Sequence, residues 1–381
     1  MKIAVPAEAD KVETRVAATP ETVKKFRALG ADFVVQAGAG AASRLPDADY
    51  VAAGATIAPT ASETVRDADI VLKVLRPQAS ELAAYKRGAL VVGIMDPYGH
   101  AAEIKALADA GVAAFAMELM PRISRAQSMD VLSSQANLAG YQAVVDAAGA
   151  YDRALPMMMT AAGTVPAARV FVMGAGVAGL QAIATARRMG AVVTATDVRP
   201  AAKEQVESLG AKFVAVEDEE FKQAETAAGY AKPMSAEYQA KQAALVAEHI
   251  KKQDIVITTA LIPGRPAPKL VSQAMVASMR PGSVIVDLAV ERGGNVEGAK
   301  AGEIVETGGV RIVGYLNVAG RIAASASALY SRNLYTFVET LFDKATKALA
   351  VNWDDELVRA TDLTRDGKVV HPSFSGEGVK P

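Results

Sequence analysis

One stretch of the chain, residues 168–200, constrains the fold most strongly. It reads ARVFVMGAGVAGLQAIATARRMGAVVTATDVRP. A β-branched run leads into three glycines, a helical pattern follows at once, and a second apolar run ends in Asp197. The glycine spacing alone is a weak signal, but a strand, a turn, a helix and a second strand with an acid about 20 residues on form the context of a dinucleotide-binding unit. The stretch therefore predicts a doubly wound domain that binds a dinucleotide.

Each residue type in this turn has a physical reason. Gly174 allows the tight turn, Gly176 lets the backbone approach a pyrophosphate, and Gly179 lets the helix pack close to the strand, while the helix N-terminus favours the anion. Asp197 is placed to accept hydrogen bonds from both ribose hydroxyls and would repel a 2′-phosphate, which favours NAD over NADP. Arg199 complicates this choice, because a basic residue can accommodate that phosphate. The cofactor-binding residues predicted here are Gly174, Ala175, Gly176, Val177, Gly179, Asp197, Val198 and Arg199.

Strand-like and helical segments alternate along both halves of the chain. This alternation is typical of a parallel sheet with helices on both faces. The apolar runs that predict strands lie at 2–6, 32–38, 68–74, 89–95 and 112–118, and again at 168–174, 191–197, 212–217, 254–260, 283–289 and 311–317. We therefore expect an α/β fold of two doubly wound, Rossmann-like domains, although two generic units could resemble each other by coincidence.

Two long helical patterns, at 133–155 and 321–349, flank the second block of strands. Both have few helix breakers. They predict an N-terminal, discontinuous domain of residues 1–132 and 322–381 and an inserted NAD(H)-binding domain of residues 133–321, linked by long helices. The first domain lacks a glycine triplet after its opening strand. We expect it to be a partner or substrate domain, with the cofactor in the cleft between the domains.

The composition excludes several classes of protein. The 381 residues carry a net charge of −1, so no basic field would attract nucleic acid or an anionic membrane surface. The lack of cysteine excludes a disulfide framework and a thiolate zinc site, and no other cluster has metal-ligand spacing. No window approaches the roughly 18 apolar residues of a membrane helix, and no signal peptide is expected. His249 and His371 are expected to be surface or packing residues.

A dense polar run, RISRAQSMDVLSSQANLAGYQ, spans residues 122–142 ahead of a helical pattern. Short hydrogen-bonding groups in such number predict either a binding surface or an N-terminal cap of the helix. Ser128 or Asp130 could supply the cap, and both roles could hold together. Arg125 could equally face solvent, so Arg122 is the better candidate for a ligand.

Several segments beside the glycine turn have distinctive sequences: MKIAVPAE and ETRVAATPETV near the start, then VLKVLRP, LIPGRPAPKLVS and MRPGSVIVDLAVERGGN. In these segments and in the glycine turn, the chain resembles the alanine dehydrogenase and transhydrogenase superfamily. Two long stretches, AFAMELMPRISRAQSMDVLSSQANLAGYQAV and AETAAGYAKPMSAEYQAKQ, are similar to the NAD(H)-binding subunits of proton-translocating NAD(P) transhydrogenases. The resemblance covers nearly the whole chain.

This resemblance implies partners and a location. It implies a homodimer that docks on membrane-bound subunits carrying NADP(H), and hydride transfer of the Si–Re type between the two nucleotides. The partner subunits would couple that transfer to proton movement. The chain would be cytoplasmic and attached peripherally to the inner membrane through them.

The resemblance also assigns roles to individual residues. In the polar run, it implies that Arg122, Gln127, Asp130 and Ser133 orient the nicotinamide and its ribose. It makes the segment GYAKPM a mobile loop over bound NAD(H), with Gly229 and Tyr230 near the cofactor, although a polar connection of this kind is also an ordinary solvated loop. Ala260 and Leu261 would form apolar walls beside the cofactor.

An alanine dehydrogenase is the alternative within the same superfamily. That reaction needs a general acid or base and a clamp for a carboxylate. Arg15 and Lys73 match the residues used there for substrate, but could be relics that pair with surface acids. The matching histidine is absent, because Met95 and Asp96 stand near its place with His100 further on, and Glu291 replaces the expected aspartate.

A module that only binds NAD is a third possibility. Hydride transfer between two nicotinamides needs no acid or base from the protein, so no catalytic side chain distinguishes an enzyme from a binding module. The distinguishing feature is a partner that lies outside this chain.

Overall fold

The computed structural model describes residues 1–224, 234–343 and 345–376. The chain divides into two compact units, Met1–Gln135 with Ala319–Pro381, and Ala136–Val318. Both units are built on a mostly parallel sheet with helices. The predicted fold class, α/β with two Rossmann-like units, is confirmed.

The first unit begins with an alternation of strands and helices. In chain order these elements are β1 (Lys2–Val5), α1 (Pro20–Ala28), β2 (Asp32–Gln36), α2 (Asp47–Ala52), β3 (Thr56–Ala58), α3 (Ala61–Val65), β4 (Ile70–Leu75), β5 (Leu90–Ile94), α4 (Ala101–Asp109) and β6 (Ala113–Ala116). A 3₁₀ turn, Ser124–Met129, then leads into α5 (Val131–Ala150), the helix that carries the chain from the first unit into the second.

The second unit repeats the alternation. Its elements are β7 (Met158–Thr160), β8 (Gly163–Val165), β9 (Arg169–Met173), α6 (Val177–Arg188), β10 (Val192–Thr196), α7 (Ala201–Ser208), β11 (Lys212–Phe213), α8 (Glu219–Lys222), α9 (Ala236–Ile250), β12 (Ile255–Thr258), α10 (Gln273–Ser278), β13 (Val284–Asp287), β14 (Ile304–Thr307) and β15 (Val310–Val313).

The chain then returns to the first unit and completes its sheet. The returning elements are α11 (Ala323–Glu339), β16 (Phe342–Asp343), β17 (Ala348–Leu349), α12 (Glu356–Thr361), β18 (Asp362–Arg365) and β19 (Lys368–Val369). Strand β18 pairs antiparallel with β6, so the tail extends the first sheet.

The order of strands defines one switch point in each sheet. The first sheet has the order β19-β18-β6-β5-β4-β1-β2-β3, and the second has the order β11-β10-β9-β12-β13-β15-β14. From β1 the chain goes first to one side, to β2, and later to the other, to β4. From β9 it goes to β10 and later to β12. Ligands of open α/β sheets bind beyond the carboxyl ends of strands at such points.

Burial explains why the predicted strands form. Residues of β4, β5, β9, β12 and β13 are buried almost throughout, as expected for parallel strands covered on both faces. Each apolar run that predicted a strand overlaps an observed one. The hydrophobic core of the first unit also holds aromatic contacts. The ring of Phe115 packs edge-on against that of Phe337, with centroids 5.4 Å apart, and stacks on that of Trp353, with centroids 6.0 Å apart.

The helix predicted at 321–349 was wrong at its end. Helix α11 stops at Glu339, and a small hairpin of β16 and β17 follows. The carboxylate of Asp343 accepts hydrogen bonds from the amides of Ala345 and Thr346 at 2.8 and 2.9 Å. Such side-chain bonds offer the backbone an alternative to the helix, and here they close a turn.

Short edge elements also escaped prediction. Strands β3 and β14 and the hairpin of β7 and β8 were not predicted, and the strand predicted at 212–217 is only Lys212–Phe213. No helix in the described ranges combines the length and the apolar character needed to span a bilayer.

Leu334 and Leu132 provide a matched test of the hydrophobic core of the first unit. Leu334 is fully buried on α11, whereas Leu132 on α5 is 51% exposed. Leu334→Ala should lower the free energy of unfolding by about 2–5 kcal/mol through lost contacts and a cavity, and Leu132→Ala by less than about 0.5 kcal/mol. Urea unfolding of the two variants measures the difference. Equal losses would contradict this description of the core.

Candidate functional site

The glycine turn lies at the carboxyl end of β9, at the switch point of the second sheet. Gly174 has a φ of +103°, a conformation that side chains rarely adopt. A Cβ on Gly179 would lie 1.7 Å from the carbonyl oxygen of Gly174. Both positions therefore require glycine for the fold itself.

Gly176 has no such reason among the described residues. It caps α6 with a φ of −75° and a ψ of −167°, which any residue adopts. A Cβ built there would meet no atom of the described residues within 4 Å. The first hydrogen bond of α6 runs from the amide of Leu180 to the carbonyl of Gly176, at 2.8 Å, so the preceding amides have no partner in the helix. The exposed backbone at Gly176 and these amides form a cradle for an anion.

Asp197 fastens this turn to the neighbouring strand. Its carboxylate follows β10 and accepts a hydrogen bond from the amide of Ala175 at 2.8 Å. The backbone amide and guanidinium of Arg199 donate to the same carboxylate at 2.8–3.1 Å, and the guanidinium also reaches the carbonyl of Ala175. These four donors match the roughly four acceptor sites of a carboxylate. A ribose would therefore have to displace Arg199 to reach Asp197.

The end of β12 completes the same edge of the sheet. The hydroxyl of Thr259 donates to the carbonyl of Gly174 at 3.1 Å. The buried side chain of Asn295 pairs with both backbone groups of Ala260, at 3.0 and 2.9 Å. These bonds fix the backbone beside the glycine turn. Leu261 and Val198 are 54% and 46% exposed, respectively.

The polar run is a 3₁₀ turn followed by a capped helix. The carboxylate of Asp130 accepts from the amide of Ser133 at 2.8 Å and from its hydroxyl at 2.6 Å, so Asp130 caps α5. The carbonyl of Ser128 instead accepts from the side-chain amide of Asn333 at 2.8 Å. Gln127 is exposed, and its side chain forms no hydrogen bond with the described part of the chain.

Both arginines of this run, Arg122 and Arg125, are exposed. Arg125 faces solvent with 51% of its side chain exposed, one of the possibilities expected for it, and its guanidinium also pairs with both carboxylate oxygens of Asp355 at 2.7 and 2.9 Å. The loop residues Gly229 and Tyr230 lie outside the described residues.

The two cations of the alternative site pair with buried acids, and the expectation of surface acids was wrong. Lys73 is 1% exposed and lies 2.7 Å from Glu81 and 3.6 Å from Glu8. The side chains of Glu8 and Glu81 are 4% and 14% exposed. The guanidinium of Arg15 binds Glu13, which is 3% exposed, at 2.6 Å, and Gln135 at 2.9 Å.

Glu8 occupies the switch point of the first sheet. Its carboxylate accepts from the amide of Val74 at 2.7 Å and from that of Leu75 at 3.4 Å, at the carboxyl end of β4. Burial raises the pKa of Glu8 to about 7, although the nearby charge of Lys73 opposes the shift. Glu8 was not predicted as a site residue, because its only signal in the sequence is an acid just after the first strand.

Glu118 is a second buried acid that the sequence analysis missed. It follows β6, and its carboxylate accepts from the amides of Met95 and Asp96 after β5. Burial raises its pKa to about 7, against the opposing effect of these hydrogen bonds. Met95 is fully buried where the alanine dehydrogenase histidine was expected. His100 instead faces Asp96, with Nδ1 2.9 Å from its carbonyl oxygen.

The remaining histidines are packing residues. The Nε2 atom of His249 lies 2.9 Å from the hydroxyl of Thr194, and its ring packs edge-on against Phe171. The ring of His371 packs on Phe374. Within the described ranges, no group of three or more acids and histidines could hold a metal ion.

The glycine turn, the acid after the next strand and the two doubly wound units define a class of protein. They are the features of nucleotide-dependent oxidoreductases with two α/β domains. Comparison with known families narrows this class. Residues 4–139 match the N-terminal domain, and residues 143–372 the C-terminal domain, of the family described as alanine dehydrogenase/PNT. The chain belongs to this family, and the predicted superfamily is confirmed.

Two relatives resemble the chain over its whole length. It is 55% identical over 384 residues to an NAD(P) transhydrogenase alpha subunit of Rhodospirillum rubrum, with all of both chains covered. A crystal structure of transhydrogenase from Sinorhizobium meliloti is 66% identical with a TM-score of 0.89, and the match covers 97% of this chain and 100% of that one.

A more distant relative represents the alternative activity. Alanine dehydrogenase of Mycobacterium tuberculosis is 33% identical over 309 residues, and the match covers 79% of this chain and 75% of the relative. The similarity to transhydrogenase subunits is greater in both identity and coverage. The transhydrogenase interpretation is therefore favoured over the alanine dehydrogenase one.

Glu118→Gln tests the buried carboxyl group through the pH dependence of stability. The pKa of Glu118 is about 7 in the folded chain against an ordinary 4.5. Between these pH values the folded chain binds more protons than the unfolded chain, so this group makes stability fall as pH rises. The free energy of unfolding of Glu118→Gln, relative to the unaltered chain, should rise by on the order of 2–3 kcal/mol from about pH 5 to about pH 7.5.

Urea unfolding at both pH values measures this difference, with the exposed Glu103→Gln on α4 as the control. The control should follow the unaltered chain at both pH values. Identical pH profiles for Glu118→Gln and the unaltered chain would show that this carboxyl group titrates normally.

Proposed function

We propose that this chain is the NAD(H)-binding component of a proton-translocating transhydrogenase. It would transfer hydride between NADH and NADP⁺ bound on a partner subunit. Gly176 carries the proposal, because neither its backbone conformation nor any described neighbour requires glycine there. Close approach of a pyrophosphate supplies the missing reason.

The turn suits the pyrophosphate, and the strand ends around it suit the rest of the nucleotide. Asp197 would accept from the ribose hydroxyls once Arg199 swings away, and the released guanidinium would stay near the phosphates. The exposed side chains of Val177 and Val198 would line the adenosine side, while the buried Ala175 would hold Asp197 in place through its amide. Ala260 and Leu261 would form the apolar walls, on a backbone that Asn295 already fixes.

The nicotinamide end requires a second set of groups. Arg122, Gln127, Asp130 and Ser133 are proposed to orient the ring and its ribose. Asp130 and Ser133 already hold each other through the cap of α5. Gln127 is exposed, and its amide, which forms no hydrogen bond with the described residues, would bind a carboxamide. Hydride transfer requires reacting atoms about 3–3.5 Å apart, so orientation is the catalytic contribution of such a set.

The names of the relatives support the proposed partners. The Rhodospirillum rubrum relative is named as an alpha subunit, and a subunit is a piece of a larger assembly. We infer that the chain forms a homodimer and binds membrane-bound subunits that carry NADP(H). It would be cytoplasmic and attached to the inner membrane peripherally through them.

Alanine oxidation is less compatible with the first unit. The charged ends of Arg15 and Lys73 contact buried acids of the same chain. A substrate carboxylate would have to displace Glu13 from Arg15, or Glu8 and Glu81 from Lys73. Such a displacement would leave buried carboxylates without partners, which is strongly unfavourable.

Nucleotide choice tests the assignment of Asp197. The unaltered chain should bind NADH more tightly than NADPH, by about tenfold or more, because a 2′-phosphate would meet the carboxylate. Asp197→Ala should narrow this ratio. It should also weaken the binding of both nucleotides, because the amide of Ala175 loses its acceptor and the turn is no longer fastened to the neighbouring strand. Calorimetric titration with both nucleotides measures the ratio.

The exposed Glu204→Ala on α7 is the matched control, since it removes a nearby negative charge outside the turn. Its ratio should equal that of the unaltered chain. Tighter binding of NADPH than NADH by the unaltered chain would refute the NAD(H) assignment.

Hydride transfer tests the polar run. Gln127→Asn should slow transfer to an NADP⁺-loaded partner subunit by about a hundredfold, because a shorter side chain misplaces the ring by roughly 1 Å. Its affinity for NADH should change much less. Gln78→Asn, on an exposed residue of the same unit, should leave both quantities unchanged. Rapid-mixing absorbance measurements give the transfer rate.

The same preparation separates the two enzyme hypotheses. With NAD and L-alanine alone, the chain should form no NADH above background. Robust alanine turnover would overturn the transhydrogenase assignment, whereas an unchanged transfer rate in Gln127→Asn would remove only this residue from the site.

A further inference from the structure

Helix α5 lies against the backbone of the glycine turn at Gly140. Gly140 is largely enclosed, and a Cβ built there would lie 2.1 Å from the carbonyl oxygen of Ala178 and 2.8 Å from its carbonyl carbon. These are backbone atoms, so no side chain could rotate to make room. Glycine is a poor helix former, and its place in the middle of this 20-residue helix therefore has a packing reason.

Ala178 belongs to the part of α6 that would bind the anion. It is the second residue of that helix, within the first turn whose amides have no helical partner. The same turn contacts the end of β9 at Gly179. A Cβ built on Gly179 would lie 1.7 Å from the carbonyl oxygen of Gly174. Two glycines from different elements thus set the position of one helical turn.

The surrounding contacts hold α5 in this place. One turn before Gly140, the side-chain amide of Asn137 donates to that of Gln181 on α6, at 3.2 Å. Beyond Gly140, α5 buries small apolar side chains in the core that also holds the middle of α6, namely Ala143, Val144 and Ala147 with Ala182, Ile183 and Ala186. The helix is therefore a rigid support for the first turn of α6.

We propose that Gly140 is a positioning residue, which sets the amides of the first turn of α6 for the pyrophosphate of the dinucleotide. This inference rests on the proposed function, because it assumes that the turn binds a nucleotide. It adds that α5, outside the glycine motif, determines the affinity for the phosphates.

Gly140→Ala and Gly149→Ala provide a matched test on the same helix. A Cβ on Gly149 would meet no atom of the described residues within 4 Å. Gly140→Ala should bind ADP about tenfold or more weakly, because a shifted turn loses one or two charge-assisted hydrogen bonds. Its affinity for adenosine, which has no phosphate, should be unchanged. Gly149→Ala should bind both ligands as the unaltered chain does.

Comparison of the affinities for ADP and adenosine distinguishes a misplaced phosphate-binding turn from a general loss of structure. Calorimetric titration measures both affinities, and circular dichroism verifies that each variant is folded. Equal losses for the two ligands, or no loss for ADP, would overturn the role of Gly140. An unaltered chain that binds neither NADH nor ADP would refute the proposed function, and this inference would fall with it.

Asn137→Ala covers the case in which Gly140→Ala does not fold. It introduces no clash and removes only the hydrogen bond to Gln181. It should weaken ADP by about two- to threefold, in line with the loss of one neutral hydrogen bond next to the turn, and leave adenosine unchanged. Unchanged ADP binding in this variant would contradict the proposal.

Discussion

The close approach of α6 to the end of β9 is the constraint on which the nucleotide-binding unit depends. The carbonyl of Gly174 and the backbone of Gly179 leave no space for a Cβ. This contact places the partly positive N-terminus of the helix next to the ends of three neighbouring strands. From there, Asp197 reaches the amide of Ala175 and Thr259 reaches the carbonyl of Gly174. A larger residue at either glycine would move all of these groups together.

A carboxylate lies at each of the two switch points, and the two carboxylates differ in their partners. Asp197 follows β10 in the second sheet and is held by Arg199, whose side chain is 30% exposed. Glu8 lies at the carboxyl end of β4 in the first sheet and accepts from the amides of Val74 and Leu75. Lys73 lies between Glu8 and Glu81 in a nearly dry environment, where charges persist only when they are paired.

The sequence predicted those parts of the fold that depend on local pattern. Buried runs identified the parallel strands, and the glycine turn identified the unit with a nucleotide-type switch point. The end of α11 was harder to predict, because residues that favour helix lie on both sides of it. A single side chain, Asp343, closes the turn after α11 through its hydrogen bonds to backbone amides. Prediction also failed where partners are far apart in sequence. Glu8 meets β4 across 66 residues, and Gly140 lies against Ala178 through geometry that no spacing encodes.

Glu8 affects whether a nucleotide could bind at the switch point of the first unit. The first unit has the same doubly wound architecture as the second, and an architecture of this kind ordinarily offers a crevice at its switch point. Here the carboxyl group of Glu8 lies at that position, covalently attached and therefore always at high local concentration. A dissolved nucleotide would have to compete with it and separate it from the buried Lys73, which would keep Glu81 as its partner. The two switch points thus differ, because a carboxyl side chain of the protein lies at that of the first unit, whereas exposed backbone at Gly176 lies at that of the second.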